Sequence, residues 1–280
     1  MNTKAVRLAG IQMSSTADKS KNIAKALRLI EVAASEGAGI MALPQLFSTH
    51  WFPATINAEH LSLAESEDGQ TITAMREAAI AHKVSIIAPI FEKDCFGYFN
   101  TAFVIGPDGA IIGRYRKMHV PQLLSWEERA YFKPGNMGFG VFKTPLATIG
   151  VQLCWDVFFP EGFRALALKG AQIVFALTAS AYEHSMPKWE RAMQAAAHAN
   201  GFFVFRVNRT GAESGLDFYG RSFCAGPDGE VLDAPSGASD GVVIADVDLS
   251  RIAETRNQWV FLKDRRPLEY ASLSEESDEG

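Results

Sequence analysis

Leu8-Ala9-Gly10-Ile11-Gln12-Met13 has a counterpart halfway along the chain in Thr148-Ile149-Gly150-Val151-Gln152-Leu153. Each is a short apolar run with the same Gly-x-Gln core, and each opens the same succession of elements. After the first, Ile23, Leu27, Ile30 and Ala34 recur at the spacing of one helix face, and Gly37 and Gly39 end that helix. Gly39-Ile40-Met41-Ala42-Leu43 then reads as a buried strand that Pro44 closes. After the second, a helix from Pro160 to Lys169 leads through Gly170-Ala171 into Ile173-Val174-Phe175-Ala176-Leu177.

The parallel continues. A helix with Ile72, Met75 and Ala79 inward precedes Val84-Ser85-Ile86-Ile87-Ala88, and a helix from Pro187 to Ala199 precedes Phe202-Phe203-Val204-Phe205. Pro107-Asp108-Gly109 and Pro227-Asp228-Gly229 then supply hairpin turns, because proline presets φ and glycine accepts positive φ. Two such halves imply two sheets, each covered by helices on one side and packed on the other: an α/β four-layer α-β-β-α sandwich with two pseudo-equivalent halves. A doubly wound sheet is the base-rate alternative for alternating α and β elements. The paired hairpins, which add antiparallel strands, favour the sandwich.

Composition bounds what such a chain does. With 280 residues, 48% hydrophobic and 21% charged, residues 1–272 fit one large domain. The acidic end at 273–280 reads as a disordered, solvated tail. A formal net charge of −5 argues against nucleic acid as a partner. Neither a signal peptide nor a run of ~20 apolar residues is evident, so the expected location is the cytoplasm, with no membrane partner. Cys95, Cys154 and Cys224 show no C-x-x-C spacing, and H-E-x-x-H, G-x-S-x-G and G-x-x-x-x-G-K patterns are missing. Metal hydrolases, serine hydrolases and nucleotide enzymes all lose ground.

Cys154 ends an apolar strand, and Pro160 six residues on suits the first position of a helix. A thiol on a strand-to-helix turn suits a nucleophile, since helix N-termini and nearby cations lower thiol pKa; the ordinary reading is a packed core cysteine. Lys117, in Arg116-Lys117-Met118-His119-Val120-Pro121, reads alone as a solvated strand end. Glu128, ahead of Tyr131-Phe132-Lys133-Pro134-Gly135, reads alone as a surface ion-pair partner.

Taken together, Gly150-Val151-Gln152-Leu153-Cys154-Trp155-Asp156 with Phe159-Pro160-Glu161, the Lys117 segment and the Glu128 segment resemble the nucleophile, lysine and second-glutamate motifs of the nitrilase superfamily of carbon–nitrogen hydrolases. Trp189 to Asn200, Asn208-Arg209-Thr210-Gly211-Ala212-Glu213 and Phe218-Tyr219-Gly220 extend the resemblance over nearly the whole chain. It implies thiol chemistry that needs no metal or other cofactor. Cys154 attacks a non-peptide amide, carbamoyl or nitrile carbon to give an acyl-enzyme. Lys117 and the N–H of Trp155 stabilise the oxyanion, and Glu128 fixes Lys117. The resemblance also implies a homodimer or larger homo-oligomer.

One position departs from the family pattern. Leu-Pro-Glu-Leu-Phe reads here Leu43-Pro44-Gln45-Leu46-Phe47, so the expected general base is a glutamine. A neutral amide cannot hold a proton, and the chain is expected to be inactive or strongly impaired. A deliberate substitution that holds substrate, a natural pseudoenzyme that binds ligand without catalysis, and a natural enzyme with changed chemistry each fit. The chain looks nearest the N-carbamoylputrescine amidohydrolase branch, which points to a small linear amide or N-carbamoyl amine. No arginine follows Cys154 in its turn to clamp a substrate carboxylate. Trp51, Phe52, Trp126, Trp155 and Phe158 are the candidate substrate-binding residues, though aromatics at such places are often ordinary core.

Overall fold

A computed structural model describes residues 5–275. In the first half, β1 (Ala5–Gln12), α1 (Lys19–Ser35), β2 (Ile40–Ala42), α2 (Gln70–His82) and β3 (Ser85–Asp94) make two parallel crossovers. Asp18 caps α1 by accepting from the Lys21 N–H at 3.1 Å, and Gly37 leaves it with φ +84°. β4 (Gly97–Ile105) and β5 (Ile111–Arg116) fold back antiparallel, with Gly109 at φ +77° in the expected turn.

The second half repeats this plan. β6 (Val141–Lys143) precedes β7 (Thr148–Leu153), α3 (Pro160–Leu168), β8 (Ile173–Thr178), α4 (Met186–Asn200) and β9 (Phe203–Asn208), and β7, β8 and β9 run parallel. A small hairpin of β10 (Thr210–Glu213) and β11 (Leu216–Tyr219) follows, then β12 (Phe223–Ala225) against β9. The turn at Gly226 closes only a single bridge, Ala225 to Val231, so the second expected hairpin is vestigial. β13 (Gly241–Asp248) pairs antiparallel with β1 along its whole length, Ala5 opposite Asp248 and Gln12 opposite Gly241, and α5 (Ser250–Gln258) follows.

The two sheets, ordered β13-β1-β2-β3-β4-β5 and β12-β9-β8-β7-β6, pack face to face through Leu8, Ile40, Ile87 and Val104 against Ile149, Val151, Phe175 and Phe205. Ile23, Ile30, Ile72 and Met75 cover the outer face of the first sheet. Phe163, Leu166, Trp189 and Met193 cover that of the second. This is the four-layer α-β-β-α sandwich.

The halves correspond element by element but not letter by letter. A Cβ on Gly10 would lie 3.0 Å from Val207 between the sheets, whereas one on Gly150 would lie 2.9 Å from Leu166 of α3. The matched glycines therefore face opposite sides of their sheets. Strand side chains alternate, so a one-residue offset is enough to reverse the face. At the C-terminal end, Pro267–Ser274 forms a 3-10 turn, so order extends to the start of the segment read as a tail; residues 276–280 lie outside the described residues.

Candidate active site

Lys117 leaves the end of β5 with its backbone fixed from both sides: its N–H donates to the Asn100 carbonyl at 2.9 Å, and its carbonyl accepts from Gly135 at 2.8 Å. Only glycine fits there, because a Cβ on Gly135 would meet the Arg116 carbonyl at 2.2 Å. Glu128 opens a short 3-10 turn, Glu128–Ala130, and its carbonyl accepts from the N–H groups of Tyr131 and Phe132 at 3.0 and 2.9 Å. Lys117 Nζ donates to both Glu128 oxygens, at 2.8 and 2.6 Å, and both side chains are fully buried. Burial opposes the Lys117 charge, but the Glu128 carboxylate, together with Cys154 and Asp156, outweighs it and holds the ammonium above its ordinary pKa. Burial also pushes the Glu128 carboxyl up, against the pull of Lys117.

Gln45 follows Pro44 just beyond β2 and is fully buried. Its Nε2 approaches Glu128 Oε2 at 3.5 Å, and its Oε1 has no hydrogen-bond partner among the described residues. Gln45 is therefore joined to the Lys117–Glu128 pair. Leu46 adopts φ +54°, a conformation costly for a branched residue. Arg209 holds it there: Nη1 donates to the carbonyls of Gln45 and Leu46 at 3.0 and 2.9 Å, and Nη2 to that of Thr49 at 3.0 Å. Glu213 completes the fork at 2.6 Å.

Cys154 is nearly buried and takes φ +50° as the first residue of a 3-10 turn, Cys154–Phe158, that ends where Pro160 starts α3. Burial pushes the thiol pKa up, partly offset by the Lys117 charge and by the Ala179 backbone N–H. The thiol is therefore not acidified by its turn alone. Asp156, also buried, fixes that turn to the lysine segment. It accepts from Tyr115 Oη at 2.8 Å, from the His119 N–H at 2.9 Å and from the Leu153 N–H at 3.1 Å, and it pairs with His119 Nδ1 at 2.8 Å.

A cavity of about 50 Å³ reaches Cys154 between Trp126, Trp155, Ala179, Ser185 and Trp189. Trp126 is anchored through Nε1 to the Ala179 carbonyl at 3.2 Å. Trp51 packs instead on Trp126 and Phe218, and Phe52 on Phe91, Tyr131 and Phe132, and neither lines this cavity. Phe158 lines a separate groove between α3 and α4. Sequence reasoning assigned no role to Arg209, Asp156, Ala179 or Trp189. Trp189 and Arg209 lay within segments that carried the resemblance, and Asp156 stood out as a charged residue inside an otherwise apolar turn. Among the described residues, no cluster of three or more His, Cys, Asp or Glu side chains is arranged to hold a metal, and no helix is long and apolar enough to cross a membrane.

A thiol, a buried ammonium–carboxylate pair and a fourth polar side chain against that pair stand at the strand ends of an α-β-β-α sandwich, the architecture of a hydrolase class. The chain belongs to the carbon-nitrogen hydrolase family, whose model matches residues 7–257. It is 36% identical to the N-carbamoylputrescine amidase of Solanum lycopersicum over 96% of this chain and 95% of that protein. A carbon-nitrogen hydrolase from Helicobacter pylori G27 superposes with a TM-score of 0.93 at 31% identity, covering 97% of this chain and 99% of that one. A glutamate-to-glutamine mutant of the amidase from Nesterenkonia sp. AN1, with the acetamide moiety of fluoroacetamide added covalently at its active site cysteine, superposes with a TM-score of 0.82. Its identity is 26%, over 96% of this chain and 97% of that one.

Proposed function

We propose that this chain acts on the C–N bond of a small linear amide or N-carbamoyl amine through a covalent intermediate on Cys154, with turnover strongly impaired by Gln45. The observation that carries this reading is the buried Lys117–Glu128 pair, which acts on the Cys154 sulfur and contacts an amide where a proton carrier is needed. In the reaction, the Cys154 thiol gives up its proton as the sulfur bonds to the carbonyl carbon, and the C–N electron pair leaves with nitrogen, which must gain a proton. Lys117, with the N–H of Trp155, balances the oxyanion. Water then cleaves the thioester, again with loss of a proton. Gln45 can accept neither proton, so both steps slow, the second more severely.

The cavity at Cys154 holds little more than an amide head, since a single water already needs ~10–15 Å³ of such space. Ala181 also borders an open groove of about 620 Å³ lined by Tyr182, Glu183, Asp217 and Tyr219, which suits a linear tail with an amine or neutral end. Trp126 and Trp155 are the aromatic residues we assign to substrate contact. Similarity to the tomato amidase supports a carbamoyl amine. We further propose one domain over residues 1–272, closed by the β1–β13 pairing, and a cytoplasmic location, in keeping with three unpaired cysteines. A homodimer through α3 and α4 is supported by the exposed Phe158, Leu168 and Phe261.

Exposure to a panel of linear amides, carbamoyl amines and nitriles, followed by mass spectrometry, tests the reading. A covalent adduct on Cys154 is expected. Reversible binding without any adduct would favour the second reading, a noncatalytic ligand-binding protein, for which Gln45 is the specific observation.

A further inference from the structure

Arg206 lies in the interior of β9 and is fully buried, yet among the described residues no carboxylate pairs with it. Nη2 donates to Tyr219 Oη at 2.9 Å and Nη1 to the Arg221 carbonyl at 3.3 Å, while Nε has no partner among the described residues. The guanidinium lies against two rings, its carbon 5.5 Å from the Trp189 centroid and 5.3 Å from that of Tyr219. A buried cation left to neutral acceptors and π faces is costly, and burial accordingly lowers its pKa.

The register places this residue in one row with the strand that leads to the thiol. Gln152, Ala176 and Arg206 lie side by side across β7, β8 and β9, on one face of the sheet. Cys154 follows two residues after Gln152, just past the strand end. Only the small Ala176 stands between the two outer positions, and two strand spacings are about 10 Å, within the reach of an arginine side chain. Trp189, one of the rings against the guanidinium, also lines the Cys154 cavity.

We propose that Arg206 is a positioning residue for the nucleophile, a fixed buried cation that favours the Cys154 thiolate in a site where Gln45 cannot take the thiol proton. The proton passes to solvent water, and the negative sulfur is balanced by the charges of Lys117 and Arg206. The groups that act on Cys154 are Lys117 and Arg206, which favour the thiolate, Glu128, which opposes it, and the Ala179 N–H, which donates to it. Those that act on Arg206 are Tyr219, Cys154 and Glu190, the last already paired with Arg221 at 2.7 Å. Asp156 acts on both members of the Lys117–Glu128 pair. The inference rests on Cys154 being the nucleophile, as proposed above.

The test is the pH dependence of Cys154 alkylation by iodoacetamide, read by peptide mass spectrometry in a Cys95→Ser background that removes the exposed thiol. Arg206→Met should move the half-reaction pH up by about one unit, the size expected for one charge at this range in a protein interior, and Arg206→Lys should hold it near the parent value. Arg206→Gln, which retains a donor for Tyr219, is the second neutral variant, and the profile is taken from whichever melts cooperatively. Tyr219→Phe removes the hydrogen bond but not the charge and should leave the profile in place. Coincident profiles for parent and neutral variant would overturn the role of Arg206 while leaving Cys154 as the nucleophile. A parent protein unreactive at Cys154 throughout would overturn both.

Discussion

Lys117 Nζ bridges both oxygens of Glu128, at 2.8 and 2.6 Å, with neither side chain reaching solvent. Such a pair is held in place by its own geometry, because either partner alone would be an unpaired charge in the core. Glu128→Ala is therefore expected to cost about 3–5 kcal/mol of stability, and Lys117→Ala a similar amount. Replacing both with apolar residues should recover much of that loss without restoring Cys154 acylation. Urea unfolding of the two single variants and the double variant checks the first half, and adduct mass the second. Equal, additive losses would show that the pair is not coupled.

Arg209 orders the Gln45 turn through three backbone carbonyls, so its contribution lies in shape as well as charge. Arg209→Lys keeps the charge but cannot span the carbonyls of Gln45, Leu46 and Thr49 together. The expected cost is about 1–3 kcal/mol of stability, with a loss of Cys154 acylation rate beyond what the melt accounts for. Thermal unfolding alongside adduct kinetics measures both. An unperturbed variant would mean that Leu46 holds its positive φ unaided.

Asp240 ties three separate segments at the β1–β13 edge. It accepts from Lys25 Nζ at 2.6 Å and from the Ser14 N–H at 2.6 Å. Burial works against its charge, but the bonds from Lys25 and Ser14 outweigh it and hold the carboxyl below its usual range. A folded-state pKa below the unfolded one contributes stability that is fully present above the unfolded value of about 3.9 and is lost as pH falls through the folded value. The parent should therefore exceed Asp240→Asn in stability at neutral pH, and the gap should close in acid. A gap that stayed constant down to about pH 2 would assign the effect to shape alone.

The sandwich was legible because both halves print the same order of short apolar runs, helices and Gly-closed turns, each a local signal. β13 was not, since its partner lies more than 200 residues earlier and nothing local announces an edge strand that pairs with β1. The catalytic candidates came from motif order, but the sequence could not show that burial would raise the Cys154 thiol. Arg209 was hidden for another reason: its partners are backbone carbonyls, which every residue carries. Arg206 did leave a trace, as a charge inside the apolar run Phe202 to Val207. The placement of Trp51 and Phe52 followed neighbouring motifs in sequence, whereas the Trp51 ring packs on Trp126 and Phe218 and the Phe52 ring on Phe91, Tyr131 and Phe132.

Restoring a carboxylate at position 45 separates an impaired hydrolase from a binding protein. Gln45→Glu is isosteric, and the Oε1 of Gln45 has no hydrogen-bond partner among the described residues, so a carboxylate oxygen there displaces no existing bond. A glutamate there would sit against Glu128, 3.5 Å from the present amide nitrogen, and two carboxylates at that range cannot both ionise freely. One of their pKa values must rise, which brings a proton carrier toward the working pH, while Lys117 keeps the pair from becoming wholly neutral. C–N hydrolysis should rise by at least about 10²-fold, within the range that general acid–base catalysis supplies, and Cys154→Ala should abolish it in either background. Substrate affinity should change far less than turnover, because glutamine already fills the same volume. The Gln45 form should accumulate the acyl-enzyme or bound substrate, since deacylation also needs an activated water. Unchanged rates across amides, carbamoyl amines and nitriles would mean that the substrate lies outside the panel or that the chain binds without turning over. Substantial turnover by the Gln45 form would move the base elsewhere, and Glu128 is then the first residue to replace.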